Sequence, residues 1–354
     1  MNSALSAHTL KYLFIDRQSD ISYLCFMNDF CRQMGAVVVD VQTLIKEFPP
    51  LYISENKKWC FEKALAQKAG ALSPESQINI SRWCKDDDFD DSLPTALELP
   101  QIITDDRYFK YEDCEEDFFM NFADRLLFGF YDADNFAQDE IQTLEMPLLV
   151  SCMLYLDEKN LPLLKPVTKE NKKSTPYIFE GVPYWLRINL SYNGQNLYGR
   201  NFRNASKDLL EKAVQVVQEE KLVNIIAARA PACGSGQYTK AQLAEFLESA
   251  YCAFRGAVLC SSADSDGSES KPVRIHTGNW GCGAFGNNLT VSYLVQLIAG
   301  SFAKTGTLIF HAPDKPTLQK AIDLISTLPS KLTFSQAVDF LFDQGLYWNE
   351  SDGE

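Results

Sequence analysis

The chain of 354 residues has few of the groups on which several common chemistries depend. It holds three histidines and shows no serine in a strand-to-helix elbow, so a nucleophilic triad is not expected. Its ten cysteines include no Cys-x-x-Cys pair, and none has a histidine at ligand spacing, so no metal site is expected. Cys152, Cys252 and Cys260 sit in apolar stretches; they read as reduced and buried, which implies a reducing, cytoplasmic setting. Basic residues are in deficit, 33 Lys and Arg against 47 Asp and Glu, for a formal net charge of -14. That balance argues against a nucleic-acid partner, because phosphate backbones need clustered cations. It leaves room for one anionic ligand in a local pocket, where backbone N–H groups replace basic side chains. No apolar run has the length of a membrane span. Residues 1–14 lack a basic segment followed by a long apolar one, so no secretory signal is expected. There is no internal repeat, and a monomer is expected.

With 46% hydrophobic and 23% charged residues, the chain has the profile of a soluble globular protein. Two parts are expected: a helical N-terminal accessory region over residues 1–99, and a larger α/β region over residues 100–354. In the first, residues 23–34 and 57–71 have helical spacing, residues 75–83 read as a further short helix, and Pro49-Pro50 interrupts. The acidic run 86–91 is a solvated loop and marks the boundary. In the second, strands are expected at 148–155, 222–228, 257–260, 273–275 and 306–311. Helices are expected at 209–220, 240–254, 289–303, 317–326 and 334–342. Residues 261–271 form an exposed polar loop. Alternating strands and helices imply a sheet between helical layers.

The most specific stretch is "HTGNWGCGAFGNNLTVSYLVQLIAG", residues 276–300. Gly281, Gly283 and Gly286 form a G-x-G-x-x-G between a strand and a helix. Such glycines let the backbone approach a ligand. Asn287 or Asn288 can cap the helix that follows, and its free N–H groups favour an anion. A dinucleotide fingerprint would place the motif early in the chain and an acid at the end of the next strand. Here the motif lies in the last third and the next acid, Asp314, follows a proline, which disfavours an NAD-dependent oxidoreductase. A tight turn that binds nothing remains the plain alternative.

The whole motif resembles the C-terminal loop of poly(ADP-ribose) glycohydrolases, a branch of the macrodomain superfamily. "GTLIFHAPD" (306–314), "LESAYCAF" (247–254) and "FFMNFADRLLFGFYDADNFAQDEI" (118–141) follow that family's order. The resemblance covers residues 100–345 and implies a macrodomain-like mixed sheet. It further implies that Glu140 stands at the position of the family's acid, which protonates the leaving oxygen at C1 of the distal ribose. Asp139 stands at the preceding, hydroxyl-binding position. Gln138 completes the triplet, and Asp124 takes the place of a binding asparagine. Gly281, Cys282, Gly283, Ala284, Phe285 and Gly286 line the ligand, with Phe285 against the distal ribose. Tyr177 matches the family's pocket tyrosine loosely. The chain departs where three glycines become Phe128-Gly129-Phe130, and an adenine-stacking aromatic near Ala312 is missing.

Glycoside cleavage needs an acid near the leaving atom and negative charge near an oxocarbenium-like carbon. Asp139 and Glu140 can supply both, with no cofactor and no metal. The expected activity is hydrolysis of mono-ADP-ribose from protein side chains. A cluster of Asp124, Asp132, Asp134, Asp139 and Glu140 would attract an arginine linkage, whose guanidinium is already protonated. The alternative is a catalytically silent ADP-ribose-binding module. Asp132 and Asp134 also read as solvated loop acids, and Asp139 and Glu140 as a first-turn pair favouring the helix dipole. The partner is therefore ADP-ribose or an ADP-ribosylated protein. The acidic ending "YWNESDGE" hints at a bacterial effector acting in a host cytosol.

Overall fold

The computed structural model describes residues 30–68, 73, 75–111, 116–263 and 272–353. Eight strands build the main sheet: β1 (Cys31–Asp40), β2 (Gln77–Lys85), β3 (Gln101–Asp105), β4 (Asp117–Asn121), β5 (Tyr177–Pro183), β6 (Leu222–Ala227), β7 (Arg274–Thr277) and β8 (Thr307–His311). Their spatial order is β1-β2-β5-β6-β4-β7-β8-β3. The pairs from β1 through β6 are antiparallel. From β6 to β3 every pair is parallel. The sheet is therefore mixed, as the resemblance implies.

Helices cover both faces. One apolar layer packs under α1 (Val41–Glu47), α2 (Glu55–Lys68), α3 (Gln138–Glu145) and α4 (Leu148–Lys159). The opposite layer packs under α5 (Lys240–Ala263), α6 (Leu289–Ala303), α7 (Lys315–Ile325) and α8 (Phe334–Asp343). All five residues of β4 and of β8 are buried, as fits parallel strands covered on both faces. The Asn288 side chain caps α6 by accepting from Thr290 N at 2.9 Å, and Lys304 ends it in the left-handed conformation.

Several elements differ from the sequence reading. Residues 77–85 form a strand, since Ile78 and Ile80 alternate with polar neighbours towards the core. Residues 31–40 are also strand where helical spacing runs to Met34; residues 23–29 of that stretch lie outside the described residues. Both strands join the main sheet, so the region before residue 100 is not wholly helical. Residues 148–155, read as strand, are helical: a short apolar run does not distinguish the two, and Pro147 and the left-handed Asn160 bound α4. Residues 257–260, also read as strand, continue α5. The helix expected over 209–220 stops at Ala213, and Val214–Val216 pairs with Leu186–Ile188.

Candidate functional site

The parallel half of the sheet carries the site. Asn121, Ala227, Thr277 and His311 end four of its strands on the same side, where open α/β sheets bind ligands. There a cleft of about 400 Å³ opens. The glycine loop forms one wall through Gly281, Cys282, Gly283, Ala284 and Phe285. Tyr108, Phe109 and Phe122 form an aromatic wall, with Ala137 and Gln138 at the start of α3 beside it.

The glycine loop is built to present N–H groups. Cys282, Gly286 and Asn287 close turns onto Asn279, Gly283 and Gly281. Among the described residues, the N–H groups of Gly281, Gly283, Ala284 and Phe285 have no acceptor. Such successive N–H groups make a cradle for an anion. Gly281 and Gly286 take positive φ, 73° and 69°. Close approach by the chain itself also demands the glycines. A Cβ at Gly286 would lie 2.8 Å from Asn349 O, and one at Gly283 would lie 2.9 Å from Asp352 Oδ2.

Asp139 and Glu140 follow the cleft-lining Gln138 at the start of α3 but do not line the cleft themselves; they are 8% and 6% exposed. Asn121 Nδ2 donates to Asp139 Oδ1 at 3.0 Å. Glu140 Oε2 accepts from Ala137 N at 2.9 Å, so this carboxylate also caps its own helix. Burial raises both acids above the usual carboxyl range, and for Asp139 the neighbouring Glu140 adds to it. Gln138 holds the geometry: its Oε1 accepts from Phe122 N at 2.7 Å and its Nε2 donates to Met120 O at 2.9 Å. This ties α3 to the end of β4.

The other expected residues divide. Asp124 lies off the cleft wall, 4.0 Å from Arg229 Nε. The Arg229 guanidinium sits 5.7 Å from the Phe285 ring and 3.2 Å from Glu245, so Arg229 links Asp124 to the loop. Asp132 and Asp134 do not line the cleft. Asp134 pairs with Arg203 at 3.2 Å, and the Asp132 carbonyl accepts from Ile53 N and Ser54 N. Tyr177 is a correction: it is fully buried and donates to Lys165 O at 2.6 Å, away from the cleft. Phe128 turns inward, fully buried against Phe179 at 5.6 Å, and keeps a glycine-like φ of 54°. Phe130 is exposed.

Three features escape a reading of the sequence. Asn121 has no motif beyond its place at a strand end. Lys57, from α2, is fully buried, and its Nζ donates to Tyr131 O at 3.0 Å. His311 lines the cleft and its Nδ1 bonds the Arg107 carbonyl at 3.1 Å. Its Nε2 then accepts from His276 Nδ1 at 2.9 Å, and His276 Nε2 lies 3.4 Å from Asp117. Paired strand ends could have suggested the two histidines; nothing local marks Lys57. No described helix is long and apolar enough to cross a membrane.

Residues 189–320 match the family model described as poly(ADP-ribose) glycohydrolase (PARG), macro domain fold. The resemblance read from the sequence is thus borne out over the glycine loop and strands β6 to β8, the part of the mixed α/β sheet that the macro domain model matches. Asp139 and Glu140 lie outside the matched residues. Among solved structures, the chain is similar to poly(ADP-ribose) glycohydrolase from Deinococcus radiodurans in complex with ADP-ribose. The identity is 12% and the TM-score 0.39, over 82% of this chain and 94% of that one. It is also similar to poly(ADP-ribose) glycohydrolase from Thermomonospora curvata bound to the inhibitor ADP-HPD. There the identity is 16% and the TM-score 0.33, over 63% of this chain and 80% of that one.

Proposed function

We propose that the cleft binds ADP-ribose and that the protein hydrolyses ADP-ribose from modified protein side chains. The observation that carries this reading is one juxtaposition. A loop with four N–H groups that have no acceptor among the described residues and a buried carboxyl pair stand at the same end of the adjacent parallel strands β7 and β4. A diphosphate on the loop would set the distal ribose over Phe285, with its C1 towards α3. The raised acids suit the chemistry. A carboxyl raised by burial holds its proton more firmly than an exposed one and can give it to a leaving atom as water adds at C1 and the glycosidic bond breaks, the water's proton then returning to the carboxylate. In its ionised form the same pair orients ribose hydroxyls and faces the charged carbon.

The mono-ADP-ribosyl substrate, and an arginine linkage within it, rest now on Asp139 and Glu140, since Asp124 lies off the cleft wall and faces Arg229. Asp134 pairs with Arg203, and Asp132 does not line the cleft. One observation favours the alternative of a silent binding module: the Glu140 carboxylate is already spent on the Ala137 N–H. The two readings separate in one experiment. ADP-ribosyl-arginine, ADP-ribosyl-glutamate and poly(ADP-ribose) substrates are incubated with the protein and with Asp139→Ala and Glu140→Ala, and released ADP-ribose is counted. Release from one linkage, lost in the variants while ADP-ribose still binds, supports the hydrolase. Binding without release from any substrate leaves the binding module.

A further inference from the structure

Residues 348–353 lie across the glycine loop. Asn349 N donates to Gly286 O at 2.9 Å, and Asn349 Nδ2 to Asn287 O at 3.4 Å. Ser351 Oγ donates to Ala284 O at 2.7 Å. Upstream, the Trp348 ring stacks on Tyr238 at 4.4 Å, and Tyr238 bonds Asn287 and Asn288. These contacts use loop carbonyls and leave the N–H groups of Gly283, Ala284 and Phe285 open. At the tip of the segment Asp352 lines the cleft, with its carboxylate packed on Gly283.

We propose that Asp352 is a residue of the ligand site, its carboxylate standing on the glycine loop where a ligand phosphate would stand. Resting on the reading that the cleft takes ADP-ribose, this makes Asp352 the residue that sets affinity for a diphosphate. A phosphate seated on the open N–H groups would stand against the Asp352 carboxylate at Gly283. Carboxylate and phosphate are both acceptor-only oxygens of like charge, and their juxtaposition in a partly enclosed cleft is unfavourable. A diphosphate therefore enters only as the tip of the segment lifts from Gly283. The anchors at Trp348 and Asn349 lie outside the cleft and stay in place.

Isothermal titration with ADP-ribose, and separately with inorganic pyrophosphate, tests this on the full chain. The proteins are the wild type, Asp352→Asn, and Glu350→Gln as a charge control. Asp352→Asn is expected to tighten both ligands by about tenfold, with the gain shrinking as salt rises, while Glu350→Gln changes neither. Asp352 is exposed, so its replacement leaves the fold intact. Equal affinity for wild type and Asp352→Asn overturns the proposal and leaves the ADP-ribose reading standing. Weaker binding by Asp352→Asn also overturns it, because the carboxylate would then be a ligand contact. If none of the proteins binds ADP-ribose, both readings fall.

Discussion

The Lys57 ammonium donates to the Tyr131 carbonyl oxygen at 3.0 Å, tying α2 to the loop that leads into Asp139 and Glu140. A lysine with no exposed surface needs counter-charge. Burial pushes its pKa down to about 8, while Glu140, Asp139, Asp132 and Asp134 hold it up. The two loop acids that do not reach the cleft thus find a role: they balance a buried cation behind the carboxyl pair. The region before residue 100 helps to set the charge of the site.

Replacing that cation should move the chemistry along the pH axis. Lys57 lowers the pKa of both Asp139 and Glu140, so Lys57→Met should raise both further. The pH profile of ADP-ribose release is expected to shift upward by about one unit. A carbon-13 titration of the two carboxyls reads the same shift without turnover. A rate lowered equally at every pH, with unmoved carboxyl titrations, would reduce Lys57 to a structural tie.

Glu145 gives a prediction about stability alone. It is buried at the end of α3, where its Oε1 accepts from Ile188 N at 2.9 Å. Burial raises its carboxyl from 4.5 to about 8, so the folded state prefers the neutral acid. That support is complete below pH 4.5 and is lost as pH rises towards 8. Glu145→Gln keeps an acceptor for Ile188 and cannot ionise. Its melting temperature should gain on the wild type as pH rises from 5 to about 8.5, by the equivalent of about 1 kcal/mol or more. A gap that stays flat with pH would contradict the burial argument.

His311 should behave in the opposite sense. Burial, with His276 beside it, pushes its pKa down to about 4, and its Nδ1–H stays on the Arg107 carbonyl. Its depressed pKa supports the fold fully above 6.5, and that support is lost as pH falls through about 4. A nitrogen-15 spectrum should show the Nδ1–H tautomer unchanged from pH 8 to about pH 5. Titration of this ring near neutrality would show that the cleft wall is wetter than its packing implies.

How far the fold is legible in the sequence follows from how local its causes are. Residues 289–303 form a helix as read because periodicity, the Asn288 cap and flanking polar turns agree. Strands β6 and β8 are short apolar runs with clear breaks on each side. The run at 148–155 gives no such signal, and only tertiary packing makes it helical. The glycine loop was legible as a place of close backbone approach. What approaches Gly283 and Gly286 in this structure is a segment more than sixty residues downstream, which no motif announces. Lys57 is illegible for the same reason. A lysine in a helix usually faces water, and its burial depends on a loop from beyond residue 130.

Phe128 stands where the sequence resemblance implies a glycine, and whether it closes the site can be tested. It sits at φ 54°, a conformation that strains a side chain by about 1–2 kcal/mol, yet its ring is fully buried against Phe179. Phe128→Gly relieves that strain and removes the ring, whose burial is worth about 3–5 kcal/mol. Packing outweighs strain, so the variant should be less stable by about 2–3 kcal/mol, read by urea unfolding. Phe128 is absent from the cleft wall, so affinity for ADP-ribose should change by less than about threefold, well under 1 kcal/mol. Tenfold tighter binding in the variant would mean that the aromatic replacement obstructs the ligand after all. Unchanged stability would mean that the strain at this position equals the packing gained, and that the substitution was neutral to the fold.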